Sequence, residues 1–331
     1  MKVINISLIT AGFAVASVVG CNGGGSNTTT TIYEQPAPMC NFGGSTYSDS
    51  SAASSKATLK VANGCNPPES SQITQLVVGL SSTSNVESAQ KDTYCTGTPI
   101  ADGTWILTVA HCLVMDKARP ASGWTIQNLT APESIFLWQG SNLKSPSGGP
   151  VSVSAVYVHS VYSPQVMGSS TGTNVPADIA LLKVNNTYPL KASLNINTNL
   201  PQYTMLWLTG FGTTEYKGMS GILFYRQIYY ATNLSPYISG NPNIGELYTV
   251  GSIPVNNYVW KFVGPGDSGG GDFIYANNNF YIVGVHSWSL LNPGTYGPLP
   301  LAYGVDTSVS YYNNWINNVV NGTPSDYVVR N

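Results

Sequence analysis

Charged side chains are scarce in this chain. They make up 8% of its 331 residues, as 13 basic and 15 acidic residues, and lysine and arginine form no run or cluster. Proteins that bind nucleic acid need such clusters because the phosphate backbone attracts them by charge, so composition excludes this class of partner. Glycine and tyrosine are abundant instead, with 34 and 21 residues. A neutral surface rich in hydroxyl and amide groups is typical of an exported all-β protein.

Charge is absent altogether from residues 3–20, which follow the basic Lys2. A run of this kind either spans a bilayer or is a signal peptide that is cleaved off. The end of the run, Val-Val-Gly-Cys at 18–21, resembles the lipobox of bacterial lipoproteins, in which the signal is cut before the cysteine and the thiol carries lipid. The resemblance implies a signal peptide over residues 1–20 and a membrane anchor on Cys21. An ordinary signal peptide and an uncleaved anchor are the alternatives.

Residues 21–75 lack the apolar periodicity of a folded core. Residues 22–31 contain only Gly, Asn, Ser and Thr, a composition typical of a flexible tether. The segment remains rich in Ser and Gly up to about Gln75, and prolines interrupt any regular element. We interpret residues 21–75 as a tether followed by a pro-segment or an ordered N-terminal extension.

Short apolar runs alternate with turn residues from Leu76 onward. The runs are rich in β-branched and aromatic residues and cover residues 75–80, 105–109, 134–138, 151–159, 205–208 and 280–285. This spacing predicts an all-β sandwich or barrel and argues against βαβ units. Apolar residues at intervals of three and four then predict a C-terminal helix over residues 308–320 with one buried face, made by Val309, Tyr312, Ile316 and Val319.

Three motifs supply the parts of an activated serine nucleophile. Residues 108–112 read Thr-Val-Ala-His-Cys, residues 178–182 read Asp-Ile-Ala-Leu-Leu, and residues 266–270 read Gly-Asp-Ser-Gly-Gly. A serine hydroxyl is a weak nucleophile unless an imidazole takes its proton and a carboxylate orients that imidazole. All three groups are present, in the order His, Asp, Ser. The alternatives to the acidic residue of the second motif are Asp102 and Asp116.

These motifs and their neighbours resemble the chymotrypsin-fold serine endopeptidases. The resemblance covers roughly residues 76–320 and rests on five segments in the family's order, at residues 95–112, 178–184, 209–212, 266–270 and 285–288. It implies an all-β fold of two six-stranded antiparallel β-barrels with the active site in the cleft between them. The barrels would cover about residues 76–195 and 196–309. The helix at 308–320 would close the domain and leave residues 321–331 as a tail.

The resemblance also assigns roles to individual residues. Ser268 would attack the scissile carbonyl, His111 would act as general base and then as general acid, and Asp178 would orient His111. The backbone N–H groups of Gly266 and Ser268 would form the oxyanion hole. Neither a metal ion nor an organic cofactor is needed for this chemistry.

The family's usual processing signal is missing. In the family, the residue before the serine, here Asp267, pairs with an α-amino group released by cleavage after a basic residue. No Lys or Arg lies between Lys60 and Lys91, and the nearest equivalent of the new N-terminus is Leu-Val-Val-Gly at 76–79. The sequence therefore leaves the partner of Asp267 open.

Five cysteines leave one odd residue in an exported protein, and lipidation of Cys21 would remove it. The resemblance implies that Cys95 pairs with Cys112, closing a loop worth ~3 kcal/mol in the chain-entropy model. By elimination, Cys40 and Cys65 would form a second disulfide, and two free thiols are the alternative. The family's disulfide beside the specificity pocket has no cysteines here.

Substrate preference turns on a few positions that the resemblance assigns to the pocket. Trypsin-like members have an Asp six residues before the serine, where this chain has Phe262, so a basic substrate side chain would lack its counter-charge. His286 matches a histidine that binds the substrate carboxylate in glutamyl endopeptidases of this fold. Alternatively, His286 packs beneath its strand and Phe262 suits an apolar pocket. The remaining expected substrate-binding residues are Ser287, Trp288, Ser289 and Gly304.

The sequence as a whole predicts a serine endopeptidase tethered to a bacterial membrane. We expect a monomer that acts on proteins or peptides at the periplasmic or surface face of the cell envelope and binds no nucleic acid. A catalytically silent relative that serves in binding or adhesion is the alternative. Labelling of Ser268 by a fluorophosphonate distinguishes the two.

Overall fold

The computed structural model describes residues 40–42, 45–47, 71–115, 119–164, 176–196, 200–201, 204–212, 221, 223–231, 244–250, 265–292 and 301–331. These residues are mostly β-strand. The strands are β1 (Cys40–Phe42), β2 (Ser45–Tyr47), β3 (Val78–Ser81), β4 (Thr93–Ile100), β5 (Trp105–Thr108), β6 (Phe136–Gln139), β7 (Gly148–His159), β8 (Ala180–Val184), β9 (Ser193–Leu194), β10 (Met205–Gly210), β11 (Phe224–Ala231), β12 (Glu246–Val250), β13 (Gly271–Ala276), β14 (Asn279–Asn292), β15 (Leu301–Ser308) and β16 (Tyr327–Arg330). The α-helices are α1 (Gln72–Leu76), α2 (Val86–Ala89) and α3 (Val309–Val320).

Six antiparallel strands close into the first barrel. They pair in the order β7, β6, β3, β4, β5 and β8, and β8 pairs back to β7. Alternate side chains point to opposite faces of a strand, so β5 serves two cores. Ile106 packs inside the barrel, whereas Trp105 and Leu107 pack outside it, in the cluster that also contains α3 residues.

The second barrel is built the same way. Its strands pair in the order β13, β10, β11, β12, β15 and β14, and β14 pairs back to β13. The short strand β9 adds to β14 in parallel. The prediction of two six-stranded antiparallel barrels is confirmed by these pairings.

The C-terminal helix α3 is also confirmed, and its boundaries agree with the apolar spacing. Ser308 caps the helix by accepting the Tyr311 N–H over 3.3 Å. The buried face contains the four predicted residues and Trp315. Residues 321–331 are more than a tail, because β16 pairs with the outer edge of β7.

Two local predictions differ from the structure. The run at 75–80 begins as a helix, since Ser71 caps α1 with its side chain and the chain turns into β3 only at Val78. Ser134 belongs to a 3-10 turn before β6. Among the described residues, no helix has the length and apolar character needed to cross a membrane. Residues 1–39, including Cys21, lie outside that part of the chain.

Candidate active site

Strands β5 and β8 bring the candidate base and its carboxylate together. Thr108, at the end of β5, pairs with Ala180, at the start of β8, so residues just beyond these ends share one edge of the barrel. His111 lies in a 3-10 turn that follows β5. Its Nδ1 is 2.7 Å from Oδ2 of Asp178, and its backbone N–H donates to Oδ1 over 2.9 Å. Because Nδ1–H donates to the carboxylate, Nε2 is left as the basic nitrogen.

The second barrel supplies further hydrogen bonds to Asp178. The Ser287 hydroxyl donates to Asp178 Oδ2 over 2.5 Å, and the Thr307 hydroxyl donates to the Asp178 carbonyl over 2.8 Å. Asp178 is 1% exposed, so its carboxylate depends on the donors of His111 and Ser287 in place of water. No sequence motif indicated Thr307, which follows Asp306 near the end of β15. Both barrels therefore hold the same carboxylate.

The pKa of His111 is raised above its ordinary value of 6.5. Burial acts against this by lowering the pKa, but the charge of Asp178 and the hydrogen bond to it have the opposite and larger effect. The imidazolium form is therefore favoured by its surroundings. That is the form the ring must adopt when it accepts a proton from a nucleophile.

Ser268 lies beside the histidine turn. Its carbonyl oxygen accepts the Thr96 N–H over 2.8 Å and lies 3.9 Å from Sγ of Cys112, the residue after His111. Ser268 is partly exposed, as a nucleophile must be. No hydrogen bond joins the Ser268 hydroxyl to the His111 ring among the described residues. Catalytic hydrogen bonds are often long without substrate and tighten in the complex.

The turn before β13, which the resemblance assigns to the oxyanion hole, contains a glycine with a positive φ. Gly266 adopts φ +98°, and a Cβ there would lie 2.8 Å from the Gly212 Cα, so only glycine fits. The Gly266 carbonyl accepts the Thr96 hydroxyl over 2.8 Å. Across residues 265–292 and the other described segments, neither the Gly266 N–H nor the Ser268 N–H donates a hydrogen bond.

Asp267 points away from this opening into the protein. It is fully buried, and its Oδ1 accepts the Gly212 N–H over 2.7 Å. Side chains at Gly210 or Gly212 would overlap the carboxylate, which explains the glycines of this turn. Residues 76–79, the nearest equivalent of the family's new N-terminus, run from α1 into β3, which pairs with β4 and β6.

Comparison with known proteins agrees with this geometry. The family model for trypsin matches residues 66–316. The chain belongs to the trypsin family. It is 30% identical over 234 residues to "Trypsin Tyr p 3.0101" of Tyrophagus putrescentiae, an alignment that covers 67% of this chain and 70% of that protein. At the level of its family, the chain is a chymotrypsin-like serine peptidase.

The side chain of His286 lies between two acidic residues in the interior of this trypsin-family chain. The side chain is fully buried, with Nδ1 2.5 Å from Asp306 Oδ1 and Nε2 3.5 Å from Asp272 Oδ1. Burial lowers the pKa of His286, but the two carboxylates overcome this and raise it to about 9. Burial and the nearby Asp306 raise the pKa of Asp272. Two carboxylates and one imidazole are also a donor set that a divalent cation accepts.

Of the other expected pocket residues, Ser287 and Trp288 form side-chain hydrogen bonds, and Ser289 and Gly304 pair across β14 and β15. Ser287 uses its side chain on Asp178, and Trp288 Nε1 is 3.3 Å from Glu246 Oε1. Ser289 is exposed, and it pairs with the buried Gly304 in β15. On the other edge of β14, pairing with β13 ends at Val285. No described strand covers the edge of residues 287–289, which a substrate backbone could therefore join. Phe262 lies outside the described residues.

A disulfide joins Cys95 to Cys112, as the resemblance implied. It ties β4 to the histidine turn of this trypsin-family domain. Cys40 lies in β1, but its side chain and the whole of Cys65 are outside the described residues, so their pairing stays a prediction.

Among the alternative carboxylates, Asp102 is exposed in the β4–β5 turn, where its hydrogen bonds to Thr104 lower its pKa.

Proposed function

We propose that the chain is a serine endopeptidase that hydrolyses peptide bonds through an acyl-enzyme intermediate. The observation that carries the proposal is the bond between His111 and a buried Asp178 held by both barrels, next to a turn whose two N–H groups have no acceptor in the described protein. A carboxylate, an imidazole and two unused donors around one partly exposed serine match the needs of acyl transfer.

In the first half of the reaction, Ser268 Oγ attacks the carbonyl carbon of the substrate and its proton passes to His111 Nε2. The carbonyl oxygen takes the negative charge and accepts the N–H groups of Gly266 and Ser268. His111 then gives the proton to the leaving amine as the carbon–nitrogen bond breaks. Water then attacks the acyl carbon and loses a proton to His111, which returns it to Ser268 Oγ as the ester bond breaks and the acid is released.

Asp178 contributes by stabilising the imidazolium that exists between the two proton transfers. Its oxygens accept the Ser287 hydroxyl and two N–H groups of His111. Charge-assisted bonds of this kind are roughly twice as strong as neutral ones. The same interaction raises the pKa of His111 in the protein without substrate.

For the residue before the scissile bond, we propose an apolar preference. A residue that binds a substrate carboxylate must present a positive group to the substrate. His286 is instead fully buried between Asp272 and Asp306. To reach this buried ring, a substrate carboxylate would have to lose its hydration beside two other acidic side chains. Phe262, at the position where trypsin has its Asp, suits an apolar side chain.

We also propose that the enzyme acts at a bacterial membrane as a lipid-anchored monomer. The proposal rests on the charge-free run of residues 3–20 and on the Val-Val-Gly-Cys motif that ends at Cys21. Several acyl chains, each contributing ~0.8 kcal/mol per buried methylene, would make the attachment effectively permanent. The Gly-rich and Thr-rich residues 22–31 would give the catalytic domain reach from the surface.

The test is cleavage of a peptide library by the purified chain and by Ser268→Ala. We expect the wild type to cleave with Phe or Leu before the scissile bond, with equal and slower rates for Glu and Gln, and we expect Ser268→Ala to be inactive. Glu cleaved at least ten-fold faster than Gln would restore the carboxylate role of His286. A folded wild type that cleaves nothing and binds no fluorophosphonate would favour the silent binding protein.

A further inference from the structure

Thr96 connects the turn that carries Ser268 to the first barrel. It is fully buried in β4, 170 residues before Gly266 in the chain. Its N–H donates to the Ser268 carbonyl over 2.8 Å, and its hydroxyl donates to the Gly266 carbonyl over 2.8 Å. The hydroxyl oxygen accepts the Phe211 N–H over 3.1 Å, and the Thr96 carbonyl accepts the Thr108 hydroxyl over 2.8 Å. Every polar atom of Thr96 is engaged.

The two carbonyls that Thr96 holds flank the peptide group containing the Ser268 N–H. With both neighbouring peptide planes fixed, this group has little freedom to turn. The Phe211 N–H occupies one side of the Thr96 hydroxyl oxygen, which directs the hydroxyl hydrogen to Gly266. A buried carbonyl in a low-dielectric surrounding holds such a donor firmly, because no water competes for it.

We propose that Thr96 is a positioning residue for the oxyanion hole. It sets the direction of the Ser268 N–H group by holding the carbonyls of the two flanking peptide groups, and it does not touch the substrate itself. The inference rests on the proposed peptidase function and deepens it, since a residue of the first barrel then positions an oxyanion-hole donor of the second.

Replacement of Thr96 by Val keeps the shape of the side chain and removes the hydroxyl. The oxyanion exists only in the transition state and intermediates, so misdirected donors lower kcat and leave KM nearly unchanged. We expect kcat to fall roughly 10- to 100-fold, less than the 100- to 1,000-fold typical of deleting a donor outright. Thr96→Ser keeps a hydroxyl at this position. Its kcat should stay within about three-fold of the wild type, a small change beside the loss caused by deleting a donor.

Thr98 provides a matched control on the same strand. It faces the same side of β4 two residues later, is fully buried, and its hydroxyl has no hydrogen-bond partner among the described residues. Thr98→Val makes the same chemical change with no carbonyl released, so its kcat should equal that of the wild type. A peptide aldehyde adds an independent readout, because it places an oxygen anion in the hole once Ser268 attacks it. Its affinity should fall with kcat in Thr96→Val, whereas that of an uncharged, non-covalent peptide inhibitor should not.

The experiment measures kcat, KM and both inhibition constants for the full-length chain in detergent. Circular dichroism gives the folded fraction of each variant, and kcat is expressed per folded molecule. Thr96→Val with kcat within two-fold of the wild type, or Thr98→Val with the same loss as Thr96→Val, would overturn the proposal. If Thr96→Val does not fold, Thr96→Cys, with its weak donor, replaces it, and equal kcat for Thr96→Cys and Thr96→Ser overturns the proposal. Failure of the proposed function is distinguishable, since the wild type itself would then be inactive.

Discussion

The hydroxyl of Ser287 and that of Thr307 both donate to Asp178, but to groups of different charge. Ser287 donates to the carboxylate over 2.5 Å, and Thr307 donates to the neutral backbone carbonyl over 2.8 Å. A hydrogen bond to a charged group contributes about 1.5–3 kcal/mol, and one to a neutral group about 1 kcal/mol. Ser287→Ala and Thr307→Val therefore separate the electrostatic support of Asp178 from its mechanical support.

Loss of the Ser287 hydroxyl leaves the shared Oδ2 of Asp178 entirely to His111. The carboxylate then attracts the imidazolium more strongly, so the pKa of His111 rises further above 6.5. The hydroxyl contacts the carboxylate and not the ring, so its loss acts on the pKa of His111 only through Asp178. Since only neutral imidazole acts as base, the acid limb of kcat/KM against pH moves to higher pH in Ser287→Ala.

The assay compares kcat/KM of the wild type, Ser287→Ala and Thr307→Val from pH 5 to 9. The wild-type limb should lie above pH 6.5, and Thr307→Val should share its midpoint even where its rate is lower. A limb that stays in place or moves to lower pH in Ser287→Ala would refute the electrostatic reasoning. So would an equal upward shift in both variants.

Three other features give measurable expectations. Replacing Cys95 and Cys112 by Ala together should cost ~3 kcal/mol in the free energy of unfolding, seen as a Tm lower by about 6–12 °C, and an unchanged Tm would contradict the account of the disulfide. The two acidic neighbours raise the pKa of His286 to about 9, so the stability that its protonation contributes is complete below pH 6.5 and is lost as pH rises through 9. Urea unfolding between pH 7 and 10 should show this decline, and His286→Gln should flatten it. Cys21→Ser should yield a chain that is soluble or retains its signal, and unchanged membrane partition with normal signal removal would reject the lipid anchor.

The fold was predictable because strand signals and family motifs act locally. Short β-branched runs separated by turn residues appear in the sequence itself, and the spacing of Val309, Tyr312, Ile316 and Val319 placed α3. Strand β16 was not predictable in this way. Its four residues are half-buried against β7, and their pairing partner lies far away in the chain.

The site was predictable where residue type determines chemistry and not where distant residues determine the surroundings. The motifs placed His111 next to Asp178, which the structure shows, while the catalytic roles of the triad stay predictions. The setting of His286 depends on Asp272 and Asp306, which reach it only through strand pairing with β13 and β15. The sequence next to His286 contains no local pattern that predicts these two buried acidic neighbours.

The most direct measurement of the central claim is the mass of the chain after reaction with a fluorophosphonate. Serine activation by the histidine and carboxylate predicts one phosphonyl group on the peptide containing Ser268, no label in Ser268→Ala, and labelling that slows as His111 becomes protonated. A folded wild type without the label, labelled at another serine, or labelled at the same rate from pH 5 to 8 would contradict the account.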